Sequence, residues 1–287
     1  MASISNHRLL SGTPGNPVPF VQSPHTSRTF APEGIVLHDT AGRLKPFSAT
    51  LNWFADPSAK ASAHFTVDRA GGVGQSALTN QCAWHAGKSQ YKGRKSVSRF
   101  TFGIEMVNPG RMEVVNDFTG KAWYGQKFKS SDEYDVSYVE TPEHGAGMWM
   151  DYTDTQIDSV VTLCRTLVKE FDLDFITTHW AISPGRKVDP NPLFPLQHVR
   201  DTVFGRVEPP VDAVEKFGDA TTIVDANVRP WPHRTSEPTG LAKFGTRVDV
   251  IRSGVWNDPN FGQEQWHLCR CEDGSEGWIF ALLIDMD

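Results

Sequence analysis

Residues 178–190, THWAISPGRKVDP, gather a histidine, a lysine and an aspartate around a Pro-Gly turn, with Asp189 ten positions after His179. A solvated loop has no need of that set, whereas a metal centre can use all of it. Catalytic zinc takes three protein ligands, with imidazole and carboxylate favoured, and keeps a fourth position open. His179 and Asp189 supply two of the three if the turn at Ser183, Pro184 and Gly185 folds the chain back. His38 is the best candidate for the third. It closes the apolar run GIVLH (34–38) as His179 closes FITTH (175–179), and adjacent strands would bring both imidazoles to one sheet edge.

Two further side chains fit around such a metal. Glu105 lies in the apolar run FGIEMV, where a carboxylate is costly to bury without a role or a partner. It could accept a proton from water activated by the metal. Lys187 precedes Asp189 by two residues, and strand-like alternation of Lys-Val-Asp would point both toward the metal. A cation there could stabilise the oxyanion of a tetrahedral intermediate. Metal, base and oxyanion stabiliser together are what amide hydrolysis needs. Each residue also has a purely structural reading. His38 can be a satisfied polar residue at a strand end, Lys187 and Asp189 a solvated ion pair, and Glu105 the partner of an arginine. The sequence has no HExxH motif and no HxH pair.

These residues need a scaffold. Of 287 residues, 39% are hydrophobic and 22% charged, as expected of a globular protein of one large or two smaller domains. The periodicities predict strands at 34–38, 64–76 (two, around Gly-Gly), 101–107 and 175–179. They predict helices at 48–55, with Ser48 as cap, and at 153–171, where Ile157, Val160, Val161, Cys164, Leu167, Val168 and Phe171 recur at helical spacing. The fold class is α/β, a mixed central sheet flanked by helices. Residues 108–150 are too long for a simple connection and read as an insertion that covers or borders a site. Residues 205–215, GRVEPPVDAVE, read as a linker. Beyond it, short strand-like runs divided by Gly, Pro and Asp predict a small all-β barrel. The expected division is 1–204, a linker at 205–218, and 219–287.

Charge follows the same division. Residues 1–210 hold 21 basic and 21 acidic side chains, residues 211–287 hold 7 and 13, and the total is −6. That balance argues against nucleic acid as a partner. No apolar run is long enough to span a bilayer, and no signal peptide is visible at the start. The four cysteines read as thiols rather than a disulfide framework.

Four segments, IVLHDTAG (35–42), ASAHFTVDRAGGV with AWHAGKSQYKGR (61–94), FGIEMVNPG (102–110) and HWAISPGRKVDP (179–190), occur in the order found in the zinc-dependent N-acetylmuramoyl-L-alanine amidases of type 2, relatives of the peptidoglycan recognition proteins. The chain resembles that family over about residues 30–204. The resemblance implies one Zn2+ per chain on His38, His179 and Asp189, with Glu105 as base and Lys187 as oxyanion stabiliser. It implies hydrolysis of the bond between the N-acetylmuramic acid lactyl group and L-alanine in peptidoglycan or muropeptides. Trp84 and His85 would border the substrate groove. Arg94, in a basic stretch from Lys88 to Arg99, is the choice to clamp carboxylates of the peptide stem. Trp180 and Ala181 depart from the small or acidic residues common after the second histidine. His64 reads as structural, and His144, His198, His233 and His267 have no supporting context.

NVRPWPHRTSEPTG (227–240), GTRVDVI (245–251) and EGWIFALLI (276–284) resemble bacterial SH3-like domains, which implies a cell-wall polymer as second partner. Trp231, Trp256, Trp266 and Trp278 divide between core and groove in that reading. The combination points to a phage endolysin or bacterial lytic enzyme, antimicrobial in effect. It would be made in the cytoplasm and reach the wall through phage lysis or signal-independent export. The alternatives are a cytoplasmic muropeptide-recycling amidase, a recognition protein that binds muropeptides without cutting them, and a metallopeptidase acting within the stem, whose usual HxH pair is missing.

Overall fold

The run GIVLHD forms strand β1 (Gly34–Asp39), and all six residues are buried. A strand buried along its whole length needs cover on both faces, the situation of a central parallel strand. The computed structural model describes residues 2–12, 16–116, 118–130, 135–141, 143–205, 218–230, 232, 234, 237–258 and 262–286. The chain divides into two compact units, one of residues 1–110 with 152–191, the other of 111–151 with 192–287.

In the first unit β2 (Phe65–Val67), β3 (Val73–Gln75), β4 (Thr101–Met106) and β5 (Phe175–Thr178) complete a five-stranded sheet in the order β5-β1-β4-β2-β3. The first four strands run parallel and β3 returns antiparallel to β2, so the sheet is mixed as expected. Helix α1 (Phe47–Ala55) follows β1, and α2 (Asp154–Phe171) precedes β5. The apolar stripe of α2 buries Ile157, Val160, Val161, Cys164 and Leu167, at about 1.5–3 kcal/mol for each large aliphatic side chain. The amide of Gln156 donates to the carbonyls of Val67 and Val107, which ties α2 to the chain at the ends of β2 and β4.

Both helix starts differ from expectation, α2 by one residue and α1 in its capping group. Thr153 caps α2, its side chain accepting from the Gln156 amide. Ser48 does not cap α1. The helix begins one residue earlier, after Pro46, and the Phe47 N–H donates to the carboxylate of Asp68 at 3.0 Å. That carboxylate also accepts from Ala70 and Gly72, so one long-range anion serves a turn and a helix N-terminus together.

The second unit is built of antiparallel strands. Residues Glu113–Asn116, Thr119–Lys121 and Lys127–Lys129 form a three-stranded sheet. Val136–Val139 and Gly147–Met150 pair with each other, and Val139 pairs with Gly254. Residues expected only as an insertion thus join the same sheet as C-terminal strands. That sheet contains Gly218–Thr222, Arg247–Asp258, Gly262–Cys271, Glu276–Phe280 and Ile284–Met286. Ala220, Val228, Val248, Val250, Cys269, Ile279 and Ile284 form its core. Trp266 and Trp278 are buried, whereas Trp231 and His233 lie outside the described residues. Most of the expected linker, 206–217, lies outside them too. All four cysteines are free thiols. No helix among the described residues is long and apolar enough to cross a membrane.

Candidate metal centre

Three neighbouring parallel strands deliver the chemistry. His38 is the fifth residue of β1, and Glu105 lies directly opposite it on β4. On the other side, Thr178 at the end of β5 lies opposite Leu37. His179 therefore comes one residue past the strand, where it opens a short helix, α3 (His179–Ile182). The sequence expectation of a strand end is shifted by one position, and the imidazole still reaches His38.

Asp189 arrives by the Pro-Gly turn. The amides of Arg186 and Lys187 both donate to the Ser183 carbonyl at 3.1 Å, and Gly185 occupies the left-handed region at φ 70° that favours glycine. The Trp180 amide donates to the Asp189 carbonyl at 3.0 Å and closes the loop back on α3. His38 Nδ1 lies 2.9 Å from His179 Nδ1 and 3.2 Å from Asp189 Oδ2, and His179 Nδ1 lies 2.9 Å from the same oxygen. The two imidazoles are buried and the carboxylate nearly so.

This donor set fits zinc. Two ring nitrogens and a carboxylate oxygen converge, and a single proton can bridge only two such atoms, whereas a cation satisfies all three. Burial, then the neighbouring His179, pulls the pKa of His38 down to about 4, so the ring is neutral at pH 7 as a ligand must be. Burial would raise the Asp189 carboxyl, but hydrogen bonds and charge from His179 and His38 hold it below the usual carboxylate range.

The surrounding carboxylates show an excess of negative charge. Burial, then Asp189 and Asp39, pushes the pKa of Glu105 well above its ordinary value, and the Lys187 ammonium opposes the shift. Glu105 Oε2 is buried without a hydrogen-bond partner. Residues 187–189 belong to no strand, so the expected strand alternation is absent there. The Lys187 charge acts on both His38 and Glu105.

Sequence reasoning missed the groups that brace the centre. Asp39 Oδ2 accepts from the Tyr152 hydroxyl at 3.2 Å and from the Asn191 amide at 3.1 Å. The Asn191 side chain donates to Asn108 Oδ1 at 3.1 Å. The chain two residues past Asp189 is thereby fastened to β1 and to the segment after β4. Burial, then Asp189, lifts the Asp39 pKa to about 7 against these donors. The carbonyl of Ala86 receives His179 Nε2 at 3.3 Å and the Arg186 guanidinium at 3.0 Å. Asp39 beside His38 in an apolar strand was the one available signal; Tyr152 and Asn191 carried none.

The residues expected to meet substrate divide. Trp84 is 45% exposed and accessible. His85 is buried, with Nδ1 3.0 Å from His38 Nε2 and Nε2 3.0 Å from the Thr101 carbonyl, so neither ring nitrogen faces solvent. Arg94 is already engaged, 2.5 Å from Glu33 Oε2 and stacked over Phe100. Trp180 is buried. His64 is structural as expected, its Nδ1 accepting from Gly103 and its Nε2 facing the Gln81 carbonyl.

The chain belongs to the N-acetylmuramoyl-L-alanine amidase family, whose profile matches residues 28–192. Among individual proteins it is 27% identical over 146 residues to the 1,6-anhydro-N-acetylmuramyl-L-alanine amidase AmpD of Salmonella typhimurium, covering 50% of this chain and 58% of that protein. It is 29% identical over 156 residues to AmpD of Enterobacter cloacae, covering 52% and 63%. It is 25% identical over 180 residues to the N-acetylmuramoyl-L-alanine amidase AmiD of Escherichia coli, covering 60% and 53%. The chain thus spans little more than half the length of these relatives. Of solved structures, a selenomethionine derivative of AmpD aligns with a TM-score of 0.46 at 24% identity, over 65% of this chain and 94% of that one.

Proposed function

We propose that the first unit is a zinc-dependent amidase that hydrolyses the amide between the N-acetylmuramic acid lactyl group and L-alanine of the peptidoglycan stem. The observation that carries this reading is the convergence of His38, His179 and Asp189 at the ends of two parallel strands, with Glu105 in register beside them. Family membership and the names of the relatives support the same bond.

Zinc held by the three residues would supply Lewis acidity and a nucleophile at neutral pH. Glu105, with its buried unpartnered oxygen, accepts the proton that water loses on attacking the carbonyl carbon. It returns that proton to the L-alanine nitrogen as the C–N bond breaks. Burial, then Asp189 and Asp39, raises its pKa and so makes it a stronger proton acceptor than an ordinary carboxylate. Lys187 stabilises the oxyanion between those steps.

The second unit serves as the wall-directed module in this proposal, with an SH3-like arrangement near residues 219–287 and the linker around 205–218. Its antiparallel strands and buried Trp266 and Trp278 agree with that reading. The whole chain then acts on the cell wall as an endolysin or lytic enzyme, reached by phage lysis or signal-independent export. A second reading, a recycling amidase for soluble fragments, draws on the AmpD names of the relatives. Mass spectrometry of products from intact sacculi and from soluble anhydromuropeptides, run in parallel, tests both. Stem peptides beginning at L-alanine, released from sacculi, support the lytic reading; release from fragments alone supports recycling. Intact lactyl–alanine bonds in both, with zinc-loaded protein, would refute the amidase.

A further inference from the structure

His85 lies between one candidate ligand and the backbone of β4, and its two contacts set a direction for protons. A backbone carbonyl only accepts, so the 3.0 Å contact to Thr101 places a proton on His85 Nε2. A second proton would make a cation in a buried site whose close neighbours are the rings of His38 and His64. His85 Nδ1 therefore presents a lone pair to His38 Nε2 at 3.0 Å, and His38 must donate to it. The proton of His38 sits on Nε2, and the Nδ1 lone pair is left facing His179 and Asp189.

Packing holds this arrangement independently. A Cβ on Gly103 would lie 2.5 Å from His85 Cγ, so the ring can seat against β4 only because residue 103 is glycine. The Ala86 amide donates to Ser98 Oγ at 3.0 Å and anchors the segment. The next carbonyl, that of Ala86, lies 3.3 Å from His179 Nε2. The Arg186 guanidinium is 3.4 Å from the same nitrogen but makes shorter bonds to Ala86, Lys88 and Ser183, so His179 Nε2 donates to the carbonyl and its Nδ1 is left bare in the same sense.

We infer that His85 is a positioning residue, which fixes His38 in the Nε2–H tautomer through a chain from the Thr101 carbonyl and so commits His38 Nδ1 to the metal. Consecutive residues 85 and 86 then orient both ligand imidazoles, one by a side chain and the other by a carbonyl. This inference rests on the zinc reading of the site.

The test compares wild type with His85→Leu and His85→Gln by zinc competition against a chromophoric chelator, with nitrogen-15 NMR of the histidine rings. Leucine removes the acceptor, and zinc affinity falls about 10–100-fold. Glutamine can accept from His38 and donate to Thr101, and recovers most of that loss. The exchange-protected His38 Nε2–H signal is present in wild type and His85→Gln and absent in His85→Leu. Equal zinc affinity in wild type and His85→Leu would overturn the inference, as would His85→Gln binding as weakly as His85→Leu. The wild-type spectrum decides even if the variants fail to fold, since a proton on His85 Nδ1 would refute the relay. Wild type that takes up no zinc would sink the zinc reading itself, and this inference with it.

Discussion

Buried charge is handled differently in the two units. In the second, Glu276 is paired with Arg270 at 2.7 Å and the buried Glu264 with Arg234, so each carboxylate has its own cation. In the first, Asp39, Glu105 and Asp189 crowd the ends of β1, β4 and the loop after α3, and Glu105 keeps a buried oxygen without a hydrogen-bond partner. Each of those two carboxylates already has a guanidinium against it. Carboxylates and imidazoles that converge without enough cations are costly in folding energy, and that cost is sustained where a bound ion or a substrate completes the set.

The comparison can be broken by removing one member at a time. The largest effect is expected for Asp189→Ala, which removes one of the three proposed zinc ligands. Bound zinc measured by metal analysis, and hydrolysis of muropeptides, should disappear together. Lys187→Ala comes next. It should retain zinc but lose about 10²–10³ in kcat, the range for one lost oxyanion donor. Steady-state kinetics at matched zinc occupancy separates these two variants.

The second unit should respond in stability rather than chemistry. Arg270→Met removes the guanidinium from beside the Glu276 carboxylate, whose side chain is 5% exposed, and should cost about 3 kcal/mol in denaturant unfolding. Its zinc content should not change. Smallest are the helix caps. Thr153→Ala should cost about 1 kcal/mol, because its hydroxyl holds the first turn of α2. Ser48→Ala should be nearly neutral, since Asp68 does the work at α1. Equal losses from the two threonine and serine variants would contradict the capping assignment.

What could be read in advance follows from locality. The strand carrying His38 and the helix 154–171 announce themselves through runs and periods within a few residues. His38, His179 and Glu105 stood out because polar groups at the ends of or within apolar runs require a reason, and Asp189 because the Pro-Gly turn could fold it back toward His179. The bracing groups did not stand out, because Asp39 meets Tyr152 across 113 positions and Asn191 across 152. His85 was assigned to the groove by its place in a motif, whereas burial against Gly103 turns it inward. Arg94 looked available for a ligand carboxylate until folding brought Glu33 beside it. The joining of residue 139 to the strand at 254 is likewise a long-range pairing that no local pattern encodes.

The most direct measurement is a metal titration of activity. The protein is stripped with a chelator, zinc is returned stepwise, and release of stem peptides beginning at L-alanine is followed by mass spectrometry. Activity that vanishes on stripping and saturates at one zinc per chain is the predicted result. Undiminished hydrolysis by verified metal-free protein would contradict the account.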